Sequence, residues 1–178
     1  MLRERVHSLS RLFKFEFMFR VGGSFDELFD GAVDDMVQVG ELRIDGASAL
    51  AGAGHDGLAG RGWLEFYAAT LLNALEAYRV AARALRLLLR GPLAERELAS
   101  RTLRIGERMF LEGEIERSEA VCQPMIENAL AAFCDQGYLQ REGKELSLAE
   151  SFQSEEAVQA VEARVKAYLP RRSNEPAW

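Results

Sequence analysis

Apolar positions along the chain change period several times, and one arrangement of them is used twice. The segment Leu28–Gly46 aligns with Met125–Gly143 at one constant offset. Leu28 then meets Met125, Phe29 meets Ile126, Ala32 meets Ala129, Val33 meets Leu130 and Met36 meets Phe133. Gly40 falls on Gly137, Leu42 on Leu139 and Gly46 on Gly143. Apolar residues three and four apart predict an amphipathic helix in each copy. A glycine then stops the helix, and a short extended segment ends in Asp-Gly or Glu-Gly. Each copy therefore predicts a helix and a wing, half of a winged-helix unit.

The other elements follow from the same reading. Met1–Leu12 predicts a helix, with Val6, Leu9 and Phe13 near helical spacing. Phe13, Phe15, Phe17 and Phe19 alternate with Lys14, Glu16, Met18 and Arg20, a period of two that predicts a strand. Gly22-Gly23 turns the chain, and Ser24 with Glu27 forms a capping box for a helix over Phe25–Val39. Glu41–Asp45 is a short strand. Ala47–Gly62, rich in glycine and alanine, predicts a flexible linker. Gly62–Arg90 is the longest helix, bounded by Gly91-Pro92, and Leu93–Leu111 is the next. Gly113–Ile115 is a candidate short strand. The second repeat helix covers Cys122–Gln136, with strands at Tyr138–Arg141 and Glu145–Leu148 around the Glu142-Gly143 turn. Ser154 caps a last helix, Glu155–Tyr168, and the tail Arg171–Trp178 reads as disordered. The expected fold is mainly α with small β wings. It is a helical bundle in which two winged-helix-like units flank a long central helix. The expected division is 1–46, a linker over 47–62, a second body over 63–169 and a tail over 170–178.

Composition narrows the function classes. The chain has 178 residues, a net charge of −6 and a pI near 5.1. That balance weighs against non-specific nucleic-acid binding, which needs cationic surface to displace phosphate counterions. Met1–Arg20 carries charges throughout and does not read as a signal peptide. Leu64–Leu89, the most apolar region, is interrupted by Glu65, Glu76, Arg79, Arg83 and Arg86, which marks an amphipathic helix rather than a membrane span.

Motifs that carry chemistry are scarce. Cys122 and Cys134 lack a CxxC or Cys/His partner cluster, so no zinc site is expected, and buried free thiols are the plain reading. Neither a GxSxG elbow nor a phosphate-cradling glycine loop between strand and helix is present. His55 and Asp56 are adjacent, but a glycine-rich loop holds a catalytic pair poorly. The acidic pairs Asp34-Asp35 and Glu155-Glu156 read as solvated helix surface, the latter favoured by the helix dipole. No catalytic, cofactor or metal residue is therefore assigned. One stripe stands out. Arg79, Arg83, Arg86 and Arg90 follow helical spacing beside the apolar face of the long helix. Such a stripe can meet a partner or anionic lipid headgroups, or cover apolar surface with its stems.

Three stretches occur in a recognisable order: LSRLFKFEFMFR (Leu9–Arg20), FYAATLLNALEAYRVAARAL (Phe66–Leu85) and GEIERSEAVCQPMIENALAAFCDQGYL (Gly113–Leu139). Together they resemble the carboxy-terminal region of the membrane-associated glycerol-3-phosphate acyltransferase family shared by bacteria and mitochondria. The resemblance covers Leu9–Leu169. Its most specific parts are Leu75-Glu76-Ala77-Tyr78 and the run Asn128–Phe133 ahead of Gly137. In that family, catalysis rests on an HxxxxD motif in an amino-terminal domain. Here His7 is followed five residues later by Leu12, and His55 by Gly60, so neither supplies the aspartate. The resemblance thus implies a non-catalytic part of a phospholipid-synthesis enzyme. It would pack on the acyltransferase domain, with peripheral contact to an anionic membrane on the cytoplasmic side of the inner membrane. The alternatives are a winged-helix DNA-binding regulator, weakened by Asp26, Asp30, Asp34, Asp35, Glu127 and Asp135 on the candidate helices, and a small-molecule sensor.

Overall fold

The computed structural model describes residues 2–16 and 23–170. They fall into two compact units, one drawn from Met1–Leu9 and Phe19–Leu71, the other from Ser10–Met18 and Leu72–Trp178. The architecture is mainly α with small antiparallel β hairpins, as the pattern predicts.

In the first unit, the part of α1 (Leu2–Leu12) up to Leu9 lies against α2 (Phe25–Gln38). His7 stacks on Phe25 with ring centroids 4.4 Å apart. Arg3 sits 4.5 Å over the Phe29 ring and reaches the carboxylates of Asp26 and Asp30. The capping box is formed: the Glu27 N–H donates to Ser24 Oγ at 3.2 Å, and the Ser24 N–H donates to Glu27 Oε2 at 2.8 Å. After Gly40, at φ +83°, come β1 (Leu42–Asp45) and β2 (Ser48–Ala51). They pair antiparallel from Asp45 opposite Ser48 to Leu42 opposite Ala51.

The second strand of this hairpin corrects the reading of Ala47–Gly62 as a flexible linker. Ser48–Ala51 is a strand, and the glycines after it are held by backbone contact. The Gly52 N–H donates to Glu41 O and the Gly54 N–H to Gly40 O, each at 2.8 Å. A Cβ on Gly52 would stand 2.2 Å from Gly40 O, and one on Gly60 would stand 2.4 Å from Glu41 O. Composition points to mobility, but these glycines serve close backbone approach instead.

The long helix α3 (Gly60–Ala84) starts two residues before Gly62 and tightens into a 3₁₀ turn at Leu85–Arg90. Its later part is the centre of the second unit, where Ala77, Tyr78, Val80, Ala81 and Ala82 are fully buried. Next come β3 (Leu93–Ala94), α4 (Glu95–Leu111), α5 (Gln123–Asp135), β4 (Leu139–Glu142), β5 (Glu145–Leu148) and α6 (Glu155–Lys166). The strands form one sheet in the order β3-β5-β4. Phe133 packs edge-on to Tyr78 at 6.0 Å, and Phe13 does so at 5.1 Å.

Two predicted strands are not formed among the described residues. Phe13–Glu16 is a turn that follows α1, with the Glu16 N–H donating to Phe13 O at 3.0 Å. Phe13 is buried and Phe15 exposed, so the alternating face is not shared; Phe17 and Phe19 lie outside the described residues, as does the tail from Arg171. Gly113–Ile115 is irregular, because the Glu76 side chain binds the backbone just beyond it. Leu93–Ala94, read as the start of a helix, supplies the third strand instead.

Candidate functional site

The two repeat copies share a pattern but not a degree of burial. In α5, Ile126, Ala129, Leu130, Ala132 and Phe133 are wholly buried. No residue of α2 is. The first unit leaves Leu28, Val37, Val39, Ile44, Leu50, Leu58, Phe66 and Tyr67 exposed. In α3, the whole stretch from Glu65 to Thr70 is exposed.

The arginine stripe is engaged from within. Arg79 is buried and donates from Nη1 to Glu114 O at 2.6 Å and from Nη2 to Glu114 Oε2 at 3.0 Å. Arg83 donates to both Glu114 and Glu162. These contacts hold the Arg83 guanidinium even more firmly protonated than usual, the Glu162 hydrogen bond first and the Glu114 one second. The same pairing with Arg83 keeps the Glu114 carboxyl below its ordinary range. Arg86 lies 3.0 Å from Glu155, and Arg90 is exposed. A cleft of about 310 Å³ beside the network is lined by Arg83, Arg86, Arg108, Glu112 and Glu114 over Leu87, Ile105 and Met109. Each of its arginines is already within ion-pair distance of a carboxylate. Long sequence separation hid these partners; only the fold brings Glu114 and Glu162 to the helix.

Glu76 has a defined task. Its buried carboxylate accepts the backbone N–H groups of Glu116 and Arg117, each at 2.9 Å. The bend after α4 is thus held by a side chain from α3, and Leu75, Ala77 and Tyr78 beside it are buried.

A comparison with known protein families matches residues 1–142 to the glycerol-3-phosphate acyltransferase C-terminal region. The chain belongs to that family. Comparison with curated proteins finds no match. For this acyltransferase C-terminal region, the stretch Leu75–Tyr78 is therefore a packing and bracing element that organises the core.

His55 is held more firmly than a glycine-rich loop suggests. Its Nε2 lies 2.9 Å from Glu41 Oε1 and its Nδ1 lies 3.0 Å from Asp56 Oδ2. The ring stacks on Trp63 at 4.6 Å. Tyr67 donates its hydroxyl to the same Glu41 oxygen at 2.8 Å. Hydrogen bonding to Glu41 and then Asp56 raises the His55 pKa, and the His55 bond lowers that of Glu41. With both ring nitrogens occupied by carboxylates, His55 braces the loop rather than offering a free base. Glu41, Trp63 and Tyr67 were not legible as its partners. The one signal was a charged residue placed directly after the helix-stopping Gly40.

Among the described residues, no group of three or more His, Cys, Asp or Glu could hold a metal ion. Cys122 and Cys134 are free and half-buried. Burial pushes the Cys134 thiol up, away from the reactive thiolate. No helix of the described residues is long and apolar enough to cross a membrane.

Proposed function

We propose that the chain is the non-catalytic C-terminal domain of a glycerol-3-phosphate 1-O-acyltransferase. It packs on the acyltransferase domain and supports docking of the acyl donor or of the membrane. The observation that carries this reading is the unequal burial of the two repeat copies. The same helical stripe is buried in α5 at Ile126, Ala129, Leu130 and Phe133, whereas in α2 Phe29, Val33 and Met36 are half-buried and Leu28 and Ala32 exposed, which suits a surface that another domain covers. A second support is topology. The order strand, helix, helix and hairpin in the second unit, with sheet order β3-β5-β4, suits a winged-helix module used as scaffold. Peripheral contact with anionic lipid falls to exposed Arg90 within the stripe, since Arg79, Arg83 and Arg86 are paired with carboxylates.

The test is an acyltransferase assay with glycerol 3-phosphate and acyl-CoA or acyl-carrier protein. The chain alone is expected to form no lysophosphatidate, and adding the separately expressed acyltransferase domain is expected to raise that domain's activity. Turnover by the isolated chain overturns the proposal.

A further inference from the structure

The repeat provides its own template for what is incomplete in the first unit. In the second copy, β5 is a central strand: β4 lies on one side and β3 on the other, with Leu93 opposite Leu146. In the first copy, the sheet has two strands, and among the described residues nothing pairs with the outer edge of β2.

The hydrogen-bond parity of the hairpins shows which groups that edge presents. In an antiparallel pair, directly opposed residues alternate between bonded and non-bonded. The Gly52 N–H donates to Glu41 O, so this pair is bonded. Counting along the register makes Arg43 with Leu50 bonded and makes Ile44 with Ala49 and Leu42 with Ala51 non-bonded. Ala49 and Ala51 therefore turn their N–H and C=O groups away from β1. In the second copy the Ala149 N–H donates to Tyr138 O, and the same count turns Leu146 outward, onto β3. The repeat offset places Ala49 on Leu146 and Ala51 on Leu148.

Side chains agree with the backbone. Leu42, Ile44, Ala49 and Ala51 share one face of the hairpin by the period-two alternation. Ile44 is 50% exposed, whereas Leu139, Leu146 and Leu148 of the second hairpin are buried. Alanine in place of leucine at position 49 also leaves room for a bulkier side chain beside it. Charge selects the occupant further. The segments Met1–Leu9 and Phe19–Leu71 carry ten acidic and five basic side chains, which disfavours an anionic lipid surface and favours a basic polypeptide.

We propose that the outer edge of β2 receives an extended, basic segment of the acyltransferase domain. This segment adds a third strand opposite Ala49, as β3 does opposite Leu146, by β-augmentation. The inference rests on the docking reading above and adds the mode of attachment to it.

The experiment measures binding of the chain to the separately expressed acyltransferase domain by calorimetry, with amide exchange read at Ala49 and Ala51 in the free chain and the complex. Slowed exchange at both amides on binding is expected. Ala49→Pro removes an N–H that β1 does not use, so the hairpin is retained while binding weakens by about tenfold or more. Binding without slowed exchange at Ala49 and Ala51 overturns the strand addition and leaves the docking reading standing. Absence of binding overturns both. Slow exchange already present in the free chain, or self-association through this edge, assigns the edge to the chain itself and also overturns the proposal.

Discussion

Arg83 and Glu162, from α3 and α6, meet as a two-bond fork: Nε donates to Oε2 and Nη2 donates to Oε1, both at 2.7 Å. Both side chains are largely buried, and Arg83 also reaches Glu114. Removing one partner leaves the other charge desolvated without compensation. Glu162→Ala is expected to destabilise the second unit by about 2 kcal/mol, and Glu162→Gln by less, because one acceptor remains. Urea unfolding followed by the far-UV helical signal checks this; equal stability of Glu162→Ala and wild type would show the fork to be incidental.

Glu76 is the second test of internal bracing. In Glu76→Gln an amide replaces the carboxylate, which turns one acceptor into a donor facing a donor. A cost of about 1–3 kcal/mol follows from one unsatisfied backbone N–H. Amide exchange should accelerate at Glu116 and Arg117, the two N–H groups bound at 2.9 Å, before it accelerates in α5.

The glycines after β2 should divide by contact. Gly52→Ala forces a Cβ to 2.2 Å from Gly40 O, and backbone cannot step aside cheaply, so a loss of about 1–3 kcal/mol is expected. Gly31→Ala, inside α2 with nothing within 4 Å of the added carbon, should instead stabilise by about 0.5–1 kcal/mol. Thermal melting of the two variants in parallel gives opposite shifts if the loop is packed as described.

The loop around His55 should depend on pH with a definite sign. The His55 pKa is raised, so its contribution is complete below the unfolded value of about 6.5 and is lost as pH rises through the folded value. The Glu41 pKa is lowered, so its contribution is present above about 4.3 and is lost as pH falls through its folded value. Between those limits the ring is charged and bridges two carboxylates. Above them, neutral His55 has one N–H for two acceptors, and exposed Asp56 is the partner released. Exchange of the Gly54 and Asp56 amides should quicken as pH is raised, beyond the intrinsic base catalysis of exchange. His55→Gln should abolish that excess.

How far the sequence reached differs by element. The capping box at Ser24 and Glu27, the glycine stops at Gly40 and Gly137 and the hairpin at Glu142-Gly143 are local devices, and each formed where the residues predicted. Phe13–Glu16 and Gly113–Ile115 failed as strands because pairing needs a partner that composition does not name. Phe13 buries against Tyr78, and the backbone after Ile115 is claimed by Glu76. For the candidate site, the arginine stripe was visible by spacing, but its carboxylates lie up to 79 residues away in the chain.

The helix-and-hairpin repeat, the apolar stripes and the family were legible from the residues alone, because periodicity, capping and turn chemistry act over a few residues. Folding added that one stripe is buried and its repeat only half-buried, that Arg79 and Arg83 face inward, and that among the described residues the outer edge of β2 is unpaired. Those outcomes depend on which distant segments meet, and burial and ion pairing are properties of that meeting rather than of any local pattern.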